Sequence, residues 1–101
     1  MICYTEFLSD LDSREIKLLA DIIKSNNESS LCFLITTQSR NHHTCYISVS
    51  KNIISSYNAK SLSEKINNLF SGKGGGSDTF ATCILENSNE GKLKKFLEEL
   101  V

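Results

Sequence analysis

No proline occurs among the 101 residues, and no two cysteines stand at C-x-x-C spacing. The missing proline, with 40% hydrophobic and 23% charged residues, separates the chain from disordered, collagenous and low-complexity sequences. Long apolar runs are missing as well. Leu31 to Ile35 and Cys83 to Leu85 fall far short of the ~18 residues a membrane span needs, and Met1-Ile2-Cys3-Tyr4 lacks the basic-then-apolar layout of a signal peptide. A cytoplasmic protein with no membrane partner is expected. The length suits one domain, 1–101, able to bury somewhat over ~60% of its unfolded surface. A deep catalytic cleft would consume much of so small a core, so neither catalytic residues nor a cofactor are expected.

Cys3, Cys32, Cys45 and Cys83 each lie in an apolar or β-branched stretch, which fits reduced, buried thiols better than a zinc site or a secreted disulfide framework. His42 and His43 are a poor metal chelate, because adjacent side chains of an extended segment point to opposite sides and no acid or cysteine stands at ligand spacing. No metal is expected. The net charge is −1 but unevenly spread: residues 29 to 77 hold Arg40, Lys51, Lys60, Lys65 and Lys73 against Glu64 alone, a local excess of +4. Such a stretch suits an anionic partner, or only a solvated helix and loops.

Met1 to Leu8, rich in β-branched and aromatic residues, reads as a strand. Asp12 with Glu15 forms a capping box, and Ile16, Leu19, Ala20 and Ile23 recur at helical spacing, predicting a helix that ends near Lys24. Leu31 to Ile35 reads as a central strand covered on both faces. Gln38 to His43 is a loop, and Thr44 to Ser50 alternates, with Cys45, Ile47 and Val49 on one side and Thr44, Tyr46 and Ser48 on the other. Ser61 with Glu64 looks like a second capping box, ahead of Leu62, Ile66, Leu69 and Phe70 as an inward stripe and Gly72 as a left-handed C-cap. Thr79 to Leu85 reads as a strand. Asn87-Ser88-Asn89 offers caps for a last helix with Leu93, Phe96, Leu97 and Leu100 inward. The expected fold is α/β: a two-layer sandwich of a mixed four-stranded sheet and three helices, in the order βαββαβα.

The sharpest local feature is Gly72-Lys73-Gly74-Gly75-Gly76-Ser77-Asp78. Three adjacent glycines expose backbone N–H groups and let a ligand approach closely. The run is not a P-loop, which needs a strand before it and a helix after it. By the glycines alone, a tight helix-to-strand turn and a ligand-facing loop both remain open.

With its flanks, the segment from Gly72 to Thr82 resembles the glycine-rich signature of the globular C-terminal domain of alanyl-tRNA synthetases. That domain is a relative of the nucleic-acid-binding domain that accompanies DHH phosphoesterases. The family pattern is a helix, G-x-G-G-G, a downstream Asp, an Ala in the following strand and a closing helix; here Gly72, Gly74, Gly75, Gly76, Asp78 and Ala81 match, with the last helix ending at Val101. Cys83-Ile84 after the alanine is similar to the eukaryotic-type tail. Ser77 stands where the phosphoesterases carry a substrate-contacting His, and Asn41-His42-His43 lacks the Asp of a DHH centre, so phosphoesterase activity is not implied.

The resemblance implies a non-catalytic fragment of a longer alanine–tRNA ligase, binding alanine-specific tRNA at its elbow in support of aminoacylation and editing. The isolated domain would be monomeric, dimerisation falling to a helical segment of the parent chain. RNA contact is assigned to Lys73, Gly74, Gly75, Gly76, Ser77 and Asp78, with Arg40 and Lys51 on phosphates. The alternative is a protein-interaction or dimerisation module whose glycine loop is purely structural. A positive face around Lys73, Arg40 and Lys51 would favour RNA, and an exposed apolar patch would favour protein.

Overall fold

A computed structural model describes residues 2–101. The N-terminal β-branched segment forms β1 (Ile2–Leu8). Asp12 then starts α1 (Ser13–Asn26) with both halves of its capping box: Asp12 Oδ1 accepts from the Glu15 N–H at 2.9 Å, and Glu15 Oε1 from the Asp12 N–H at 3.1 Å. The chain returns as β2 (Ser30–Ser39), parallel to β1. A tight turn at Arg40-Asn41, with Asn41 at φ 69°, leads into the antiparallel β3 (His42–Val49).

After a single 3-10 turn (Lys51–Ile53) comes α2 (Ala59–Phe70). Its N-cap is Asn58, whose side chain accepts from the Ser61 N–H at 3.1 Å. The predicted Ser61–Glu64 box is therefore inside the helix: Asn58 offers the same cap chemistry three residues earlier. At the other end Ser71, not Gly72, takes the left-handed conformation (φ 52°, ψ 38°). Gly72 serves another need, since a Cβ there would come within 2.3 Å of Leu85 Cδ2 and 2.5 Å of Asn67 Oδ1.

The glycine run is not a loop. Lys73–Gly76 is a strand, β4, paired antiparallel with β5 (Phe80–Leu85), and α3 (Glu90–Glu99) closes the chain from its Asn89 cap. The sheet thus has five strands in the order β1-β2-β3-β5-β4, where four were expected from the sequence. Glycines carry no side chains to alternate, so β4 shows no period-2 pattern.

Nor is the sandwich two-layered. Side chains alternate across the sheet: Leu31, Phe33, Ile35, Cys45, Ile47, Val49, Ala81, Cys83 and Leu85 pack on one face with Leu62 and Ile66 of α2 and Leu93 and Leu97 of α3. Cys32 and Leu34 pack on the other with Ile16 and Ala20 of α1, joined by Tyr4, Tyr46 and Phe80. The apolar run of β2 requires this, because only a helix on each side can bury both of its faces. The parallel β1–α1–β2 crossover puts α1 alone on its side of the sheet.

Cys32, Cys45 and Cys83 are buried, but Cys3 on edge strand β1 is exposed, against expectation. Burial pushes the Cys32 thiol to about 11 and the Cys83 thiol to about 12, and raises Cys45 well above the ordinary range. Leu69, expected inward, is 59% exposed at the end of the α2 stripe.

Candidate nucleic-acid interface

The faces of the sheet differ in cover. Lys17 of α1 reaches across so that its Nζ lies 5.7 Å from the centre of the Phe80 ring. Beyond that contact the α1 side of β3, β5 and β4 is reachable, with rows set by strand register: Thr44–Ile84–Lys73 and Tyr46–Thr82–Gly75. A groove of about 420 Å³ lies over this half, with Thr44, Tyr46, Thr82 and Ile84 on its floor and Ser13 and Gln38 at its α1 rim. Ile84 is 52% exposed there. The Thr44 hydroxyl donates to Gln38 Oε1 at 3.1 Å, and Gln38 Nε2 donates to Thr36 Oγ1 at 2.7 Å, so the rim is ordered from β2. Burial, then the nearby Asp12, raises the Tyr46 phenol above its usual range and keeps it a neutral donor.

Each glycine of β4 has its own reason. A Cβ on Gly74, which sits at φ 132°, would fall 2.1 Å from the Thr82 carbonyl oxygen, and one on Gly76 would fall 2.3 Å from that of Phe80. These two are glycine because the strand lies against β5. A Cβ built on Gly75 would meet nothing within 4 Å beyond its chain neighbours, and its φ is ordinary. Nothing in the fold requires a glycine at 75, and its bare backbone lies beside Thr82 on the reachable face, next to the row that carries Lys73.

Ser77 and Asp78 do structural work. The Ser77 N–H donates to the Phe80 carbonyl at 2.8 Å, closing the β4–β5 hairpin. Asp78 Oδ1 accepts from Asn58 Nδ2 at 2.8 Å, and its carbonyl accepts from the Ala59 N–H at 2.9 Å, which ties the turn to the start of α2. Arg40 and Lys51 do not gather around the glycines as expected. They flank opposite ends of β3, a strand of eight residues and so about 26 Å long, because residues before and after one strand cannot share an end of the sheet. Of the predicted contacts, Lys73 and Gly75 share the open face. The sequence reading missed Lys17, Thr82 and Ile84, although the alternation of buried Ala81, Cys83 and Leu85 already sets Thr82 and Ile84 on the far side.

Hydroxyl donors, an apolar floor, a lysine on each side and a bare strand backbone meet on this face, with the Glu86 carboxylate at the border of its groove. His43 borders the groove with His42 and Glu86, but its side chain is turned into the fold. It is 2% exposed, its Nδ1 lies 2.7 Å from Ser88 Oγ, and its ring meets Phe7 edge-on at 6.1 Å. Burial lowers its pKa, Glu90 opposing and His42 adding to the shift. Among the described residues no three His, Cys, Asp or Glu side chains are grouped to hold a metal ion.

The fold has a close solved counterpart. The C-Ala domain of alanyl-tRNA synthetase from Aquifex aeolicus superposes with a TM-score of 0.82 at 21% identity, over 97% of this chain and 88% of that one. Among curated proteins none matches this sequence. Residues 2–101 match the DHHA1 domain, and with β4 and its glycines now placed within that span, the chain belongs to the DHHA1 domain family.

Proposed function

We propose that the chain is the non-catalytic C-terminal module of an alanine–tRNA ligase, and that its open sheet face binds tRNA at the elbow in support of aminoacylation and editing. The likeness to the Aquifex C-Ala domain and the family membership support this reading. The observation that carries it is Gly75, a glycine with open space around it on the one uncovered half of the sheet. A phosphodiester backbone laid across β4 meets exposed peptide N–H groups there, with Lys73 on one side and Lys17 on the other. The partner is alanine-specific tRNA, met in the cytoplasm.

A titration with tRNA transcript at several salt concentrations tests the reading. With Lys17 and Lys73 near the face, about two phosphates are neutralised, giving a log K against log salt slope of roughly −2. Lys73→Ala should reduce that slope by about 1, and Gly75→Val should abolish binding while the protein stays folded. Absence of binding at low salt, or a slope that Lys73→Ala leaves unchanged, makes the glycine strand purely structural and the domain a protein-interaction module.

A further inference from the structure

The helices α2 and α3 pack inward on the sheet but do not close on each other at their outer flank. α2 ends at Phe70, where Ser71 turns the chain away in the left-handed conformation, while α3 runs from Glu90 to Glu99. Between them lie two adjoining hollows of about 470 and about 290 Å³ that share Leu69, Phe70 and Lys92. Their common floor is apolar. The Phe70 and Phe96 rings meet edge-on at 5.9 Å, both half-buried against the core, and Leu69 stands beside them 59% exposed. Rings already held by the fold lose little freedom on contact, so a concave aromatic floor suits the buried anchor side chain of a protein partner.

The charge at the rim sets what flanks that anchor. On α3, Lys92, Lys95, Phe96 and Glu99 line the groove at i, i+3, i+4 and i+7, a single stripe about 10 Å long. On α2, the exposed Lys65 lies one turn before Leu69 on the same face. Lys65, Lys92 and Lys95 are thus set against Glu99 alone, in a chain whose net charge is −1. Beyond Lys92 the rim is polar and uncharged, with Ser71, Asn87 and Asn89.

We propose that this groove docks a protein partner through a short acidic amphipathic segment: a leucine or aromatic side chain enters over Phe70 and Phe96, and neighbouring carboxylates meet Lys65, Lys92 and Lys95. The lysines alone would suit RNA as well; the apolar floor is what favours a protein segment. The groove is on the α2 and α3 side of the sheet and the face assigned to tRNA on the α1 side. The proposal therefore does not rest on tRNA binding, and both partners can be held at once. A stripe this short covers little area, so the contact is weak and reversible.

The probe is the capped peptide Glu-Glu-Leu-Asp-Glu-Phe-Leu-Glu-Glu, whose apolar residues fall at helical spacing, titrated into the nitrogen-15-labelled 101-residue chain. The amide resonances of Leu69, Phe70, Lys92 and Phe96 should shift together, with a Kd of about 0.1 to about 1 mM. The same peptide with lysine for every acid, or with serine for leucine and phenylalanine, should leave them in place. Leu69→Ser, at an exposed position, and the paired reversal Lys92→Glu with Lys95→Glu should each weaken binding at least about tenfold, with unchanged circular dichroism spectra. A peptide that moves none of these amides, equal binding by the lysine control, or variants that bind as the parent chain does would each overturn the proposal. So would displacement of the peptide by tRNA transcript, which makes RNA the occupant, or a free chain heavier than 11.3 kDa whose excess mass Leu69→Ser removes, which makes it a second copy.

Discussion

On the α2 and α3 side of the sheet, β2, β3 and β5 present Phe33, Ile47, Cys83 and their neighbours to two helices that leave them no water. On the α1 side a single helix covers Cys32 and Leu34 and stops short of Ile84. The same strands therefore carry two kinds of surface. Where a face is fully buried, each side chain is fixed by packing and has no freedom to meet anything else. Where cover is partial, threonine, tyrosine and glycine can stand in the same strands without weakening the core, and ligands can reach them. In so small a domain, function is confined to the area that the helices leave over.

The sharpest way to break this contrast is to remove equivalent bulk from each face. Ile66→Ala, on the buried face of α2 and with no exposed surface, should cost about 2–5 kcal/mol in denaturant unfolding, and Ile84→Ala on the open face under about 0.5 kcal/mol. Equal losses would mean that both faces are sealed. The next test lies within β4. Gly74→Ala forces a side chain into a left-handed conformation and onto the Thr82 carbonyl, which should cost about 1–3 kcal/mol, whereas Gly75→Ala should stay within about 0.5 kcal/mol.

Smaller in effect is the response to acid. His43 is neutral in the fold with its pKa lowered by burial, so its contribution is complete above the unfolded value of about 6.5 and is lost as pH falls from there through the folded value. Thermal unfolding between pH 7 and pH 5 should show stability falling with pH, and His43→Gln should flatten that fall. The mildest probe is thiol labelling of native protein: Cys3 should react at once, and Cys32, Cys45 and Cys83 only on unfolding. Prompt reaction of Cys45 would show the sealed face to be open.

Much of the architecture is written in side-chain periodicity. The stripes Ile16–Ala20, Leu62–Ile66 and Leu93–Leu97 sit at helical spacing and are all buried, and the alternation of β3 assigned Cys45 and Tyr46 to their correct faces. What periodicity could not convey was arrangement. β4 escaped notice because glycine carries no pattern, and the side of the sheet on which a helix lies is set by crossover geometry more than by the helix's own residues. The site was legible in the same uneven way. The glycine run marked the right segment, but which of its glycines faces outward depends on the pairing with β5. Arg40 and Lys51, neighbours by charge in the sequence, are kept apart by the strand between them.

The open space around Gly75 also makes this protein easy to instrument. The other three thiols being buried, a Cys3→Ser, Gly75→Cys variant would have a single accessible sulfur, on the bare strand where a side chain's Cβ has open space. A fluorophore or spin label attached there would report on whatever approaches the sheet by a change in its own signal, with no need to know the visitor beforehand. The residue that the fold does not need is thus the best place from which to watch the surface work.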